Sequence, residues 1–306
     1  MSFRASNRLS GAVHASIAAM GSIWLIEPSV GLPMFESLRG VKWDIYEAED
    51  TNPIPSASLH VGETGNGAPW ARDANGNYLD YRMDDGVAIL EMSGPMQKQD
   101  AWSMDGTSTV RVRRAVRQAV ADPGVHSLCL IGDSPGGSVA GTHELAMDVR
   151  RAGMKKPTYG FCEDMCCSAC YYVMSQCNAL YAASYSMVGS IGVYATLYDL
   201  SQMAEAEGVV VHVIKDGEEK GDGVPGTPIT GEMLQRTQSL VDTYGAQFRK
   251  VVSETRFPDS GLKKGESPAR GEVFIGAEAR RMKLIDGVTS LDNVLNAMKK
   301  RKKPMS

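Results

Sequence analysis

Leu128-Cys129-Leu130-Ile131 runs through Gly132 straight into Asp133-Ser134-Pro135-Gly136-Gly137-Ser138, and a helical stretch follows over residues 139–152. A short apolar run that meets a proline–glycine turn and then a helix reads as one buried strand of an α/β sheet. The same rhythm continues on both sides. Upstream, Val87-Ala88-Ile89-Leu90-Glu91-Met92 is a strand closed by Ser93-Gly94-Pro95. Residues 107–121 then turn helical, with Val112, Ala115, Val116, Ala119 and Val120 on one face. Arg111, Arg113, Arg114 and Arg117 lie mostly off that face, where a solvated surface is expected in preference to docking on an acidic partner. Downstream, residues 157–161 form a strand that leads to Cys166-Cys167-Ser168-Ala169-Cys170-Tyr171-Tyr172. Strands over 179–183 and 209–214, helices over 199–207 and 231–255, and a last strand with two short helices over 271–298 complete the pattern. Strands alternating with helices imply mostly parallel pairing.

The chain has 306 residues, 43% apolar and 22% charged, with a net charge of −4. These values fit a globular protein with a sizeable core and give no overall basic field for nucleic acid. Five of the six cysteines fall between positions 162 and 177. Such crowding suits reduced thiols better than a framework stapling distant loops. Cys167 and Cys170 form a CxxC, but no second pair or well-spaced histidine completes a zinc site. Residues 1–80 read as an extension: an amphipathic helix over 11–26, then a linker rich in Gly, Asn and Pro. It is too short and too polar for a membrane anchor. The globular domain spans 81–298, and residues 299–306 are a basic, solvated tail.

Three turns after strands offer chemistry, because sites in α/β folds gather at strand ends. Gly136 and Gly137 would present N–H groups with no side chain in the way. Ser168 sits before a helix whose first N–H groups and positive dipole end face a cleft, a setting for a nucleophilic serine beside an oxyanion. Gly189-Ser190-Ile191-Gly192 allows close backbone approach. None of His14, His60, His126, His143 and His212 lies in a convincing polar motif. His212, inside an apolar run, reads as a core or edge histidine. Lys215 and Lys220, in a Gly-containing loop, are the other candidate bases. A lysine amine accepts a proton only when uncharged, a form that burial favours.

Taken in order, these motifs resemble the signal peptide peptidase A family, a branch of the Clp protease/crotonase fold that includes head proteases of tailed phages. The resemblance runs over residues 84–298. Asp133-Ser134-Pro135-Gly136-Gly137-Ser138 resembles the oxyanion turn. Ser168-Ala169-Cys170-Tyr171-Tyr172 resembles the nucleophile motif, and Gly189-Ser190-Ile191-Gly192-Val193 the turn whose serine orients the catalytic lysine. Lys215-Asp216-Gly217-Glu218-Glu219-Lys220 resembles the loop in which the second lysine is the base. Ser190 and Lys220 follow Ser168 by 22 and 52 residues. Glu272-Val273-Phe274-Ile275-Gly276 with Leu284-Ile285-Asp286 resembles the closing segment. Ala169 and Cys170 stand where the family usually has glycines, and Cys166 and Cys167 replace smaller residues, which leaves a thiol nucleophile as an alternative.

The resemblance implies a spiral of β-β-α units with a mostly parallel sheet, plus an irregular N-terminal extension. It implies a serine endopeptidase with Ser168 as nucleophile, Lys220 as base (Lys215 second) and Ser190 orienting the amine. N–H groups of Gly136, Gly137 and Ser168 would hold the oxyanion. No cofactor and no metal is implied. Polypeptide substrates would add as a strand at a sheet edge, and the protein would form a homo-oligomeric ring with its sites facing inward. The sequence Ser22-Ile23-Trp24-Leu25-Ile26-Glu27-Pro28 resembles the leader of the phage-head branch. That branch implies scaffold, portal or coat proteins as substrates, in the host cytoplasm or the immature head. Alternatives are a signal-peptide-degrading bacterial peptidase, a catalytically dead shell protein, and a crotonase-type acyl-CoA enzyme.

Overall fold

The computed structural model describes residues 70–73, 76, 78–98 and 106–301, together with the backbone of residues 24–26. Most of the expected 11–26 helix and the end of the basic tail lie outside the described residues. Trp24–Ile26, however, is a strand, β1, and not the end of a helix.

The chain continues with β2 (Trp70–Arg72), β3 (Tyr78–Asp84), β4 (Val87–Ser93), β5 (Met96–Gln97), β6 (Thr107–Ser108) and α1 (Thr109–Ala121). Next come β7 (Ser127–Ser134), β8 (Gly136–Ser138), α2 (Thr142–Gly153), β9 (Thr158–Cys167), α3 (Ala169–Met174), β10 (Ala179–Ala182) and β11 (Met187–Gly189). The remainder is α4 (Ser201–Ala206), α5 (Gly231–Arg256), β12 (Val273–Ile275), α6 (Gly276–Arg281), β13 (Gly287–Val288) and α7 (Leu291–Lys299).

A nine-stranded sheet carries the order β12-β11-β9-β7-β4-β3-β2, with β10 and β13 paired off β9. Its centre is parallel and its edges, β12 at one side and β3 with β2 at the other, are antiparallel. The mostly parallel α/β architecture expected from the sequence is therefore present. The sheet also takes in residues upstream of the expected boundary at 81, through β2 and β3. A smaller sheet has the order β1-β8-β5-β6. Twice the chain gives a strand to the large sheet, then a strand to the small one, then a helix: β4 with β5 and β6 before α1, and β7 with β8 before α2.

Both faces of the large sheet are covered, which explains why its central strands are near-continuous apolar runs. Side chains alternate between faces. Ala88, Leu90, Leu128 and Leu130 point to one core with α1, α2 and α3. Val87, Ile89, Cys129, Ile131 and Phe161 meet Val294, Leu295 and Met298 of α7 on the other. Helix starts follow the capping rule: Ser108, Thr230 and Ser290 each accept a backbone N–H of the first turn. At the far end of α1, Lys156 Nζ donates to the carbonyls of Ala119 and Asp122, at 3.0 and 2.6 Å.

Two expectations need correction. The Pro135-Gly136-Gly137 segment is no plain strand-to-helix turn, because residues 136–138 form β8 against β5. Glycine is required there: a Cβ on Gly137 would lie 1.8 Å from the Met96 carbonyl oxygen. The β-prone run over 209–214 forms no strand. Val210 and Ile214 are exposed, Ile214 at 99%, and His212 is exposed with them and not in a core. Propensity without a neighbouring strand to pair with does not make a strand. The arginines of α1 line a solvated side as expected, with Arg114 and Arg117 exposed, and they pair with acidic residues of the same chain. Arg113 and Arg117 both reach Asp148 of α2, at 2.9 and 2.8 Å, where Arg151 joins them at 3.0 Å. Arg114 pairs with Asp80. The tail also begins tied down, with Lys299 paired to Asp84 at 2.5 Å.

Asp148 is buried and holds α1 to α2 through the guanidinium groups of Arg113 and Arg117, so Asp148→Ala is expected to cost about 1–3 kcal/mol in urea unfolding. Arg114→Ala, which breaks a more exposed pair, should cost less than about 1 kcal/mol. Gly137→Ala, which drives a methyl into the Met96 carbonyl, should cost about 1–3 kcal/mol by the same measurement.

Candidate functional site

Strand β9 ends at Cys167 and α3 begins at Ala169, so the whole change of direction falls on Ser168. Its backbone has φ 53° and ψ −116°, a conformation that side-chain-bearing residues rarely adopt. Four non-glycine described residues have positive φ: Asp85, Ser168, Ser190 and Lys283. Two of them are the serines singled out from the sequence. A serine held in such a turn costs about 1–3 kcal/mol, which the surroundings must offset.

Those surroundings are well defined. The Ser168 N–H donates to the Gly189 carbonyl at 2.9 Å, and the Tyr172 N–H donates to the Ser168 carbonyl at 2.8 Å. Every residue of α3 is buried. Tyr171 donates its hydroxyl to the Leu284 carbonyl at 2.9 Å, tying α3 to the closing segment. The Tyr172 hydroxyl lies 2.8 Å from His143 Nδ1, and its ring packs on Phe248 with centroids 5.0 Å apart. Burial pushes the Tyr172 phenol up to about 12, so the contact joins a protonated phenol to the imidazole. His143 is thus engaged by Tyr172.

Ser190 is placed by the next strand. Within the parallel pair β9–β11, Cys167 is opposite Gly189. Ser168 and Ser190 each follow one member of that pair, so the two serines leave adjacent strand ends side by side. Ser190 has φ 52° and donates its N–H to the Glu272 carbonyl at 2.7 Å. Gly189 is needed here because a Cβ would lie 2.8 Å from that same carbonyl oxygen. The closing motif therefore holds the Ser190 turn directly.

The Gly136–Gly137 strand reaches the site through an irregularity in β7. The register between β7 and β9 shifts between Gly132 and Ser134. The Asp133 carboxylate fills the gap by accepting the Met165 N–H at 3.1 Å. Ser134 Oγ donates to the Gly94 carbonyl at 2.6 Å and accepts the Gly136 N–H at 3.2 Å. Helix α3 packs against β8. Two of the N–H groups expected to hold an oxyanion, those of Gly136 and Ser168, are thus already bonded within the chain. The Ala169 N–H opens α3 and has no acceptor within the helix. It is one of the first-turn N–H groups that the sequence places at the cleft.

Lys220 and Lys215 lie elsewhere. Both belong to an exposed stretch that follows α4. Lys215 donates to the Glu218 carbonyl, and the Lys220 N–H bonds to the Gly217 carbonyl at 3.2 Å. Among the described residues, no hydrogen bond or ion pair joins either amine to Ser168, which is 1% exposed. The single chain brings together Ser168, Ser190, Gly136 and Gly137, and does not join Lys220 to them.

The electrostatics around the strand ends are acidic. Burial raises the carboxyls of Asp133, Glu91 and Glu163, and in Glu163 the neighbouring Asp133, Asp164 and Glu91 add to it. All six cysteines are buried thiols. Burial pushes the Cys129 thiol up to about 12 and those of Cys166 and Cys177 upward too, away from the thiolate that nucleophilic attack requires. Among the described residues no group of three His, Cys, Asp or Glu is placed to hold a metal ion, and no helix is long and apolar enough to cross a membrane.

A protein of Methanocaldococcus jannaschii named as a protease is 28% identical over 221 residues, 72% of this chain and 66% of that one. Capsid assembly protease C of Escherichia phage lambda is 27% identical over 247 residues, 78% of this chain and 55% of that one. Head-tail preconnector protein GP5 of Enterobacteria phage P21 is 29% identical over 176 residues, 56% of this chain and 35% of that one. The chain thus spans from about a third to just under two thirds of the length of these relatives. Residues 150–304, just over half of the chain and including Ser168, Ser190 and Lys220, match peptidase family S49, and the chain belongs to that family.

Proposed function

We propose that the chain is a serine endopeptidase in which Ser168 attacks a peptide carbonyl and Lys220 takes the serine proton. The observation that carries this reading is the conformation of Ser168: a strained serine at the junction of a buried parallel strand and a buried helix, beside a second strained serine and a glycine strand. Such a turn lifts a hydroxyl out of the backbone plane toward the strand ends. A capping serine would adopt ordinary extended angles and bond an N–H of the first turn; Ser168 does neither.

In the reaction, uncharged Lys220 removes the proton as Ser168 Oγ bonds to the carbonyl carbon. Ser190 orients the amine. The tetrahedral oxyanion is held by the N–H groups of Gly137 and Ala169, since those of Gly136 and Ser168 are bonded to Ser134 and Gly189. Lys220 returns the proton to the leaving amine, and water then releases the acyl group by the same route.

The base arrives by self-association. Lys220 lies on an arm that carries Met203, Val209, Val210, Val213 and Ile214 in the open. Helix α5 continues the pattern, burying residues only in its second half, from Gly245 to Val252. An apolar arm of this size calls for a partner. A second copy of the chain supplies one, in a ring that sets each arm against its neighbour's Ser168 and shields the amine from water. The substrates are polypeptides in extended form. The relatives named for capsid assembly and for the head–tail preconnector support scaffold, portal or coat proteins as substrates during head assembly.

Ser168→Ala and Lys220→Ala should each lower peptide hydrolysis by roughly 10³–10⁶-fold. Mixing the two inactive proteins and letting subunits exchange should recover activity that neither shows alone. No recovery, with both variants properly assembled, would place the two groups in one subunit. Co-expression with the neighbouring structural proteins, followed by mass spectrometry, should show cleavage products that depend on both residues; products unchanged in the two variants would remove the peptidase reading.

A further inference from the structure

The small sheet contains an element that neither the core nor the proposed chemistry uses. Strand β8 is paired on one side with β5, where Met96 is opposite Gly137. On its other side lies β1, antiparallel, with Trp24 opposite Ser138, Leu25 opposite Gly137 and Ile26 opposite Gly136. These partners are more than a hundred residues apart in sequence. β1 is the outermost strand of its sheet, so the backbone groups of β8 on that side are covered by nothing else in it.

We propose that this side of β8 is a peptide-binding edge and that residues 24–26 are its resident occupant, a tethered strand that an extended substrate must displace. The term substrate rests on the peptidase reading above; occupancy of the edge does not. An open strand edge pairs through backbone groups and accepts any extended chain that can lie along it. The edge adjoins the site, since α3 packs on β8 and Ser168 opens α3. The occupying sequence suits the role. Ile23-Trp24-Leu25-Ile26 is apolar and β-prone, and Pro28 lacks the N–H that would extend the ladder. Among the described residues three pair, a length short enough to be displaced. Residues 27–69 then separate it from β2, ample contour for it to dock and leave. The tether keeps its effective concentration high, so an unlinked peptide competes at a disadvantage until the strand is weakened.

The antiparallel register fixes the direction in which a substrate runs and the stretch it reads. An incoming peptide lies antiparallel to residues 136–138, as Trp24–Ile26 do. The preference is for extended apolar segments that resemble the occupant, with one backbone group per residue of β8 at most.

The test uses the full-length chain and the double variant Trp24→Pro/Leu25→Pro. Proline has no N–H to donate. Alternate residues of an antiparallel strand face a given neighbour, so substituting both positions removes a ladder donor in either phase and puts proline rings where the strands pack. Two quantities are measured: amide hydrogen exchange at Gly136, Gly137 and Ser138, and binding of a fluorescent peptide copying residues 21–29. In the variant, exchange should accelerate about tenfold or more at whichever of Gly137 and Ser138 turns its N–H to β1, while Gly136, whose N–H is held by Ser134 Oγ, serves as the internal reference, and saturating peptide should slow the accelerated exchange again. The peptide should bind the variant at least about tenfold more tightly than the wild type. Unchanged exchange at both Gly137 and Ser138, or equal peptide affinity for the two proteins, would overturn the proposal. Exchange in β4 and β7 checks that the variant is folded. Peptide cleavage is followed in the same samples, and its absence from all of them counts against Ser168 as nucleophile, separately from the result at the β8 edge.

Discussion

The structure turns on how closely β9 and β11 approach at their C-terminal ends. Cys167 faces Gly189, the Ser168 N–H reaches the Gly189 carbonyl, and the Ser190 N–H reaches the Glu272 carbonyl. Gly189 admits these contacts because it has no Cβ to strike the Glu272 oxygen. Two parallel strands thus end together, and each hands its chain to a serine in a conformation that extended or helical backbone does not use. Two serines held that way cost a few kcal/mol between them. The cost is sustained because everything beneath is rigid: α3 is buried along its length, and its two tyrosines bond to the closing segment and to α2. The ion pair of Arg256 with Asp286, at 2.9 Å, secures that closing segment to the end of α5, and Asp286 also accepts the Leu180 N–H. Distant parts of the chain converge on one short junction.

The same logic separates what one chain completes from what it leaves open. The junction, the glycine strand and Ser190 need no partner. The arm bearing Lys220 is different in kind, with its apolar side chains in solvent and few contacts to the core. A buried half-site and an exposed apolar arm are complementary if assembly joins them. Catalysis would then depend on protein concentration and assembly state, and a lone subunit would hold a nucleophile without a base. The strand at β8 would add a further condition, set by the chain itself, on which peptides enter.

Much of this was legible in the sequence for physical reasons. Val87–Met92 and Leu128–Ile131 read as buried strands because both faces of a covered parallel sheet select apolar residues. Ser168, Ser190, Gly136 and Gly137 were legible because a sharp turn at a strand end leaves small residues behind. Other features were hidden. Residues 209–214 look like a strand by propensity, yet pairing depends on a neighbour that the local sequence does not reveal. The arginines of α1 read as solvated, and Arg114 and Arg117 are, but nothing local shows that α2 brings Asp148 beneath them. Gly136–Gly137 looks like a turn, and only Met96, some forty residues away, shows that it is a strand pressed against a carbonyl. The pairing of Trp24–Ile26 with the same strand is more distant still. The helix period suggested by residues 11–26 gave no sign of it.

The central claim is that the Ser168 hydroxyl is made nucleophilic by the Lys220 amine, within an assembly. Its most direct test is the stoichiometry of fluorophosphonate modification, read by intact mass and mapped to a residue, on size-separated fractions of wild type and Lys220→Ala. The account expects one label per subunit on Ser168 in assembled wild type, and little or none in its monomeric fraction or in Lys220→Ala. Labelling of Ser168 that is equally fast in monomer and assembly and indifferent to Lys220, or labelling that falls on another residue, would contradict it.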